Sequence, residues 1–170
     1  MYQILLPVLA NVIVHITINR PDKFNALNRD VFTDLDSAAD EIQNNPAIKS
    51  AIITGAGTKA FVAGADITEF NGLSKEEAMA LAKRGQDIFF KIENSSKQVI
   101  AAVNGFALGV GCELAMHCHV RMAAETAKFG KPEGNLGLIP VFGVTQTITT
   151  WTGHGRALKL RTTQDIIATH

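Results

Sequence analysis

The chain has 170 residues, of which 46% are apolar and 19% charged, and its 16 acidic side chains balance 16 basic ones. This length and apolar content predict one globular domain over residues 1–170, with a substantial core. The charge balance excludes the basic surface typical of nucleic-acid-binding proteins, and no apolar run is long enough to cross a bilayer, so we expect neither nucleic acid nor a membrane as a partner.

The first third of the chain alternates strand and helix patterns. Residues 12–18 (VIVHITI) are rich in β-branched side chains, which is typical of a strand, and Pro21 favours a turn after them. Asn28 can cap a helix with apolar residues on one face, and Pro46 would stop that helix. Residues 50–55 (SAIITG) then predict a short buried strand.

A glycine-containing segment and a longer helix pattern follow. Residues 56–70 (AGTKAFVAGADITEF) predict a loop whose glycines let backbone approach a ligand closely. Ser74 and Glu77 have the spacing of a capping box, so a helix should begin there. Its apolar residues on the inward face are predicted to be Ala78, Leu81, Ala82, Ile88, Phe89 and Ile92.

The second half continues the alternation. Residues 99–105 predict a buried strand, 111–118 a helix and 119–124 another short strand. The recurrence of strand, loop and helix indicates an α/β chain without a linker that would divide it. Residues 155–170 (GRALKLRTTQDIIATH) predict a helix leading into further structure, so we expect the domain to be incomplete at its C-terminus.

Cysteine usage indicates a cellular compartment. Cys112 and Cys118 lie six residues apart in one apolar segment, and the N-terminal residues show no basic region followed by an apolar run and a cleavage site. We therefore expect a reduced, cytoplasmic protein.

The segment 104–116 (NGFALGVGCELAM) predicts an anion-binding turn. A strand followed by glycines and a helix start exposes backbone N–H groups at the positive end of the helix dipole. The segment lacks the Lys-Ser/Thr ending of a P-loop and the G-x-G-x-x-G spacing, which argues against a nucleotide. A phosphate or an oxyanion that develops during a reaction remains open.

Two glutamates are candidate acids or bases. Glu113 follows these glycines; it could complement the helix N-terminus, or its apolar neighbours could bury it and raise its pKa, as a general acid or base needs. Glu133, after Pro132 in another glycine-interrupted segment, is either a second such acid or a solvated loop residue. The distance between them in the sequence does not show whether they meet.

A metal site is the less favoured alternative. Cys112, Glu113, His117, Cys118 and His119 cluster in the sequence, but neither HExxH nor CxxC is present. Of these side chains, only Glu113 and His117 share a helical face at the i, i+4 spacing. We favour packed thiols and interior histidines, and expect no metal.

Four blocks carry a family resemblance. They are NRPDKFNAL (19–27), AFVAGADI (60–67), VIAAVNGFALGVGCELAM (99–116) and FGKPEGNLGLIPVFGVTQ (129–146). In this order they resemble the enoyl-CoA hydratase/isomerase (crotonase) superfamily. The resemblance implies an α/β fold of the ClpP/crotonase type, a spiral of repeated β-β-α units, and assembly as a homotrimer or dimer of trimers. It also implies that the C-terminal helical part is missing here.

The resemblance implies an activity and a set of site residues. Enoyl-CoA hydratases add water across the 2,3 double bond of a 2-enoyl-CoA to give a 3-hydroxyacyl-CoA, as in fatty acid β-oxidation, without a metal or redox cofactor. Glu113 and Glu133 match the two catalytic glutamates, and the N–H groups of Ala65 and Val110 match the oxyanion hole. Coenzyme A would contact Lys23, Ala26, Leu27, Ala63, Gly64, Ala65, Asp66 and Ile67.

The chain departs from the family where Val110, Val141 and Val144 replace frequent glycines and Gly134 replaces a frequent aliphatic residue. A Cβ at position 110 is expected to strain the backbone or to crowd the thioester. Two alternatives to hydration therefore stay open: a catalytically silent CoA-binding or assembly subunit, and an enoyl-CoA isomerase.

Overall fold

The structure, a computed structural model, describes residues 2, 4–70, 72–132 and 144–169. Glu133, Gly134 and Val141 lie outside the described residues. The strands are β1 (Leu5–Ala10), β2 (Ile13–Ile18), β3 (Ser50–Gly55), β4 (Ala60–Val62), β5 (Gln98–Val103), β6 (Phe106–Leu108), β7 (Val120–Ala123), β8 (Lys128–Gly130) and β9 (Ile167–Ala168). The helices are α1 (Arg29–Asn44), α2 (Lys75–Glu93), α3 (Val110–His117), α4 (Val144–Thr152) and α5 (His154–Thr163).

The strands of the described chain form two sheets. The larger sheet has the order β1-β2-β3-β5-β7, in which β1 pairs antiparallel with β2 and the remaining pairs are parallel. The smaller sheet has the order β4-β6-β8-β9, in which β4, β6 and β8 run parallel and β9 pairs antiparallel with β8. From β3 to β8, consecutive strands thus alternate between the two sheets.

This alternation is the β-β-α spiral that the resemblance implies. One unit consists of β3 in the larger sheet, β4 in the smaller sheet and α2, and the next consists of β5, β6 and α3. Each unit adds one strand to each sheet beside the strand of the previous unit. The predicted α/β spiral is therefore confirmed.

The helix caps follow the sequence pattern. The Asn28 side chain accepts a hydrogen bond from the Val31 N–H at 3.0 Å, which starts α1 at the predicted place. At α2, the Glu77 N–H donates to Ser74 Oγ at 3.2 Å and the Ser74 N–H donates to Glu77 Oε2 at 2.8 Å, which completes the predicted capping box. The predicted inward face is wrong at Ala78, which is exposed, because α2 buries only its C-terminal half.

The core lies between the larger sheet and helices α1 and α2. Phe32 of α1 and Phe89 of α2 meet in it with ring centroids 6.2 Å apart, and both are buried. The short strands of the smaller sheet do not follow from the sequence pattern, because two or three residues are too few to show a period. One of them, β4, lies inside the predicted loop 56–70. No helix in the described part of the chain is long and apolar enough to span a membrane.

Candidate active site

Three parallel strands of the smaller sheet end at one edge. The segment Ala63–Ile67 follows β4, Gly109 and Val110 follow β6, and Lys131 follows β8. Because β4, β6 and β8 are neighbours and parallel, their carboxyl ends lie side by side. This topology brings the predicted anion-binding turn and the glycine-containing segment with Ala65 to the same place.

The Ala65 turn is paired with the loop that follows β2. The Leu27 N–H donates to the Gly64 carbonyl and the Asp66 N–H donates to the Leu27 carbonyl, both at 2.9 Å. These two bonds form a parallel bridge between Leu27 and Ala65. In such a bridge Leu27 is hydrogen-bonded to the two residues that flank Ala65. The N–H of Ala65 therefore points away from Leu27 and is available to another acceptor.

The two segments expected to contact coenzyme A therefore lie next to each other. The Ala63 N–H also donates to the Phe24 carbonyl at 3.1 Å. The Leu27 side chain is buried, so only its backbone can reach a ligand, whereas Lys23 and Ile67 are exposed. A cavity of about 300 Å³ opens beside this contact, lined by Pro21, Phe24, Asn25 and residues 56–60.

Arg20 links these two segments by hydrogen bonds, and the sequence did not indicate this role. Its guanidinium donates to the Ala26 carbonyl at 2.6 Å and to Asp66 Oδ2 at 2.9 Å. Hydrogen bonds from Thr68 and then from Arg20 hold the pKa of the Asp66 carboxyl below its usual value. The residue lies in the matching block NRPDKFNAL, but nothing in the sequence pairs it with a carboxylate 46 positions away.

The second turn presents the start of a helix. Gly109 has φ 54°, and its N–H donates to the Gly130 carbonyl at 2.9 Å. The Glu113 N–H donates to the Gly109 carbonyl at 3.1 Å, the first such bond of α3. The N–H of Val110, the first residue of α3, precedes this bond and has no acceptor within the helix. It lies at the positive end of the helix dipole.

The strain expected at Val110 is wrong for this backbone. The left-handed conformation falls on Gly109, and Val110 is not among the described residues with positive φ. Its side chain is 6% exposed and packs in the main apolar core. Val110 thus supplies a helix-start N–H without an unfavourable φ. Val144 is the first residue of α4.

Glu113 is fully buried and forms an ion pair. Its exposed fraction is 0%, and Oε1 lies 2.5 Å from the Nζ of Lys131, which is 4% exposed. The predicted burial is confirmed, and the ammonium beside the carboxylate opposes the effect of burial on its ionisation. Sequence reasoning missed Lys131, since its 18-residue separation from Glu113 carries no contact information.

The histidines near Glu113 have partners of other kinds. His117 Nδ1 lies 2.9 Å from the Glu113 carbonyl oxygen, and its Nε2 lies 3.7 Å from Glu93 Oε2. His119 Nδ1 accepts a hydrogen bond from the Val99 N–H at 3.0 Å. In the ranges that the structure describes, no group of three or more His, Cys, Asp or Glu side chains could hold a metal ion.

Comparison with known proteins identifies the family. The profile of the family described as "Enoyl-CoA hydratase/isomerase" matches residues 9–168. The chain belongs to the enoyl-CoA hydratase/isomerase family. A crotonyl-CoA hydratase of Syntrophomonas wolfei is 51% identical over 88% of this chain, and a short-chain-enoyl-CoA hydratase of Clostridium acetobutylicum is 47% identical over 85%.

Solved structures of the family share the fold. The enoyl-CoA hydratase from Bacillus anthracis superposes with a TM-score of 0.94 at 35% identity, covering 98% of this chain and 65% of that one. This chain spans 58% and 56% of the lengths of the Syntrophomonas and Clostridium relatives. The matched part of the family fold includes both turns of the candidate site.

Proposed function

We propose that the protein is an enoyl-CoA hydratase, a hydro-lyase that adds water across the 2,3 double bond of a 2-enoyl-CoA to give a 3-hydroxyacyl-CoA, as in fatty acid β-oxidation. One arrangement carries the proposal: the buried Glu113 lies one helical turn beyond the Val110 N–H, at the sheet edge where the Ala65 turn also ends. The names of the two relatives, crotonyl-CoA hydratase and short-chain-enoyl-CoA hydratase, support the same reaction.

The Ala65 and Val110 N–H groups would form the oxyanion hole. When water adds to C3 of the enoyl thioester, the thioester oxygen gains negative charge as an enolate forms. Two fixed donors at the ends of neighbouring strands, one of them at a helix N-terminus, stabilise that charge more than they stabilise the neutral substrate. The pairing of Ala65 with Leu27 holds the first donor, and the start of α3 holds the second.

Glu113 and Glu133 would perform the proton transfers. The oxygen of water forms a bond to C3 while one carboxylate accepts a proton of that water, and C2 of the enolate accepts a proton from the second carboxyl group. The sum of these steps is the addition of one water molecule, and the two groups exchange roles in the reverse reaction. This chemistry requires no metal or redox cofactor.

The coenzyme A part would bind along the two adjacent backbone segments. Lys23, Ala26, Leu27 and the segment Ala63–Ile67 are the proposed contacts, and the cavity beside Phe24 provides space next to them. The Arg20–Asp66 ion pair joins the two segments and so fixes their relative position. We propose that the protein is cytoplasmic and forms a homotrimer or a dimer of trimers. Multi-angle light scattering tests the oligomeric state directly.

The loss of enoyl-thioester absorbance on mixing with crotonyl-CoA tests the reaction. We expect turnover in the natural sequence and its loss in Glu113→Gln and in Glu133→Gln. Glu125→Gln removes an exposed carboxylate before the start of β8, away from the strand ends that form the site, and should leave turnover unchanged. A folded protein that binds acyl-CoA without turnover would overturn the hydratase proposal and favour the silent CoA-binding subunit. Movement of the double bond without hydration would favour the isomerase.

A further inference from the structure

Lys131 is the buried cation of the candidate site. Its side chain is 4% exposed, although a lysine ammonium ordinarily stays in water. It follows directly after β8, whose last residue accepts the hydrogen bond from the Gly109 N–H. Burial of an ammonium group costs free energy unless it is compensated by opposite charge and hydrogen bonds, and these surroundings provide both.

The ammonium contacts the two functional parts of the site together. Nζ lies 2.5 Å from Glu113 Oε1 and 3.4 Å from the Gly109 carbonyl oxygen. Gly109 immediately precedes Val110, the proposed oxyanion donor. The Lys131 side chain thus contacts both the Glu113 carboxylate and the turn that positions the Val110 N–H.

We infer that Lys131 is a positioning residue, which keeps Glu113 ionised and fixes its carboxylate relative to the Val110 turn. The inference rests on the proposed hydratase function for its effect on turnover, but the effect on the ionisation of Glu113 does not depend on it. Nothing in the family match assigns a role to this lysine.

The positive charge of Lys131 should favour the ionised form of the Glu113 carboxyl group. A cation in contact with a buried carboxylate favours the ionised form, whereas burial alone favours the neutral form. The other charged or titratable groups around Glu113 in the described ranges are His117 on α3, Glu93 of α2 beside it, and Arg121 of β7 at the C-terminal end of α3. Lys131 contacts the carboxylate itself, with Nζ 2.5 Å from Oε1.

Lys131→Gln removes the charge and keeps a hydrogen-bond donor, so it separates ionisation from geometry. We measure kcat for crotonyl-CoA hydration as a function of pH. The pH at which kcat falls on the acid side, the acid limb, should lie about 1 to 3 units higher in Lys131→Gln than in the natural sequence, the range typical of losing an ion partner in contact. Lys128→Gln is the matched control, because Lys128 is exposed, lies three residues earlier and removes the same charge. Its acid limb should not move. An unchanged limb in folded Lys131→Gln would overturn the inference.

A direct titration keeps the test independent of turnover. In protein labelled with ¹³C at the glutamate carboxyl carbon, the signal lost in Glu113→Gln assigns Glu113. We expect this carboxyl to titrate at a higher pH in Lys131→Gln than in the natural sequence, because the variant lacks the neighbouring cation. Equal titration in the two proteins would overturn the inference, and Lys131→Met provides the same comparison if Lys131→Gln does not fold. A higher titration in the variant without crotonyl-CoA turnover in the natural sequence would retain the role of Lys131 and reject the hydratase.

Discussion

Gly111 packs against Val62 so closely that a Cβ on Gly111 would lie 2.0 Å from the Val62 carbonyl oxygen. Val62 ends β4, which leads into the Ala65 turn, and Gly111 is the second residue of α3, which begins at Val110. This contact therefore sets the separation of the two proposed oxyanion donors. Only glycine permits it, because the obstructing atoms are the carbonyl group and the Cβ of Val62, which cannot rotate away.

Gly111→Ala should lower stability and turnover together. The added methyl group must push α3 away from the end of β4, and overpacking of this kind costs about 1–3 kcal/mol. The displacement moves Val110 relative to Ala65, so kcat for crotonyl-CoA should fall more than the affinity for CoA changes. Urea denaturation and steady-state kinetics measure the two effects.

Gly155→Ala is the control for this substitution. Gly155 lies in α5, and no heavy atom is found within 4 Å of a Cβ built there. Alanine favours a helix over glycine by roughly 0.5–1 kcal/mol, so this variant should be unchanged or slightly more stable. Equal behaviour of the two alanine variants would contradict the steric argument at Gly111.

The local elements could be predicted because their signals are local. Asn28 caps α1, and Ser74 with Glu77 caps α2, within a few residues of the helices that they start. The three-residue strands of the smaller sheet carry no periodic pattern, and their pairing is set by the spiral topology. The sequence pattern therefore located the start of α3 to within one residue, but not the sheet that brings the two turns of the site to one edge.

The buried ion pair should show a large coupling in a double-mutant cycle. Glu113→Met or Lys131→Met alone leaves one buried charge without its 2.5 Å partner, and we expect a loss of about 3–5 kcal/mol for each. The double variant replaces both charges by apolar groups, so its loss should be smaller than the sum by more than about 1 kcal/mol. Denaturation midpoints, converted with a common slope of free energy against denaturant concentration, give the losses in free energy of unfolding. Additive losses would argue against the pair.

The stabilising effect of Asp66 should depend on pH in a defined direction. Its pKa is lowered in the folded chain, first by Thr68 and then by Arg20, so the folded state binds a proton less readily than the unfolded state. The contribution is present above the unfolded pKa of about 3.9 and is lost as the pH falls through the lower folded pKa. The stability difference from Asp66→Asn should be largest near neutral pH and disappear in acid.

Asp22→Asn controls for the removal of a carboxylate. Asp22 is exposed and lies in the same loop as Arg20. Urea denaturation of both variants between about pH 2 and pH 7 compares them. A difference for Asp66→Asn that stayed constant over this interval would contradict the assignment of its stabilising effect to the ionised form.

Long-range contacts explain what the sequence left undetermined at the site. Arg20 and Lys131 both lie in blocks that matched the family, yet their partners Asp66 and Glu113 lie 46 and 18 positions away. A basic residue beside a turn is normally solvated, so neither lysine nor arginine signals a buried partner by its type. The roles of the acids and the backbone donors stay predictions from local pattern and resemblance, whereas the cationic partners of Asp66 and Glu113 became visible only in the fold.

The thiol of Cys118 should be unreactive in the folded protein. Burial raises its pKa to about 12, and its Sγ contacts the Leu114 carbonyl oxygen inside α3. At pH 8 the thiolate fraction is then about 10⁻⁴, against roughly a quarter for a free cysteine, so a water-soluble disulfide reagent should react at least about 10³-fold more slowly. Cys112→Ala leaves Cys118 as the only cysteine, and its reaction is followed with and without denaturant. Fast modification of the folded variant would show that the C-terminal turn of α3 opens readily, and would weaken the argument that α3 holds Val110 and Glu113 rigidly.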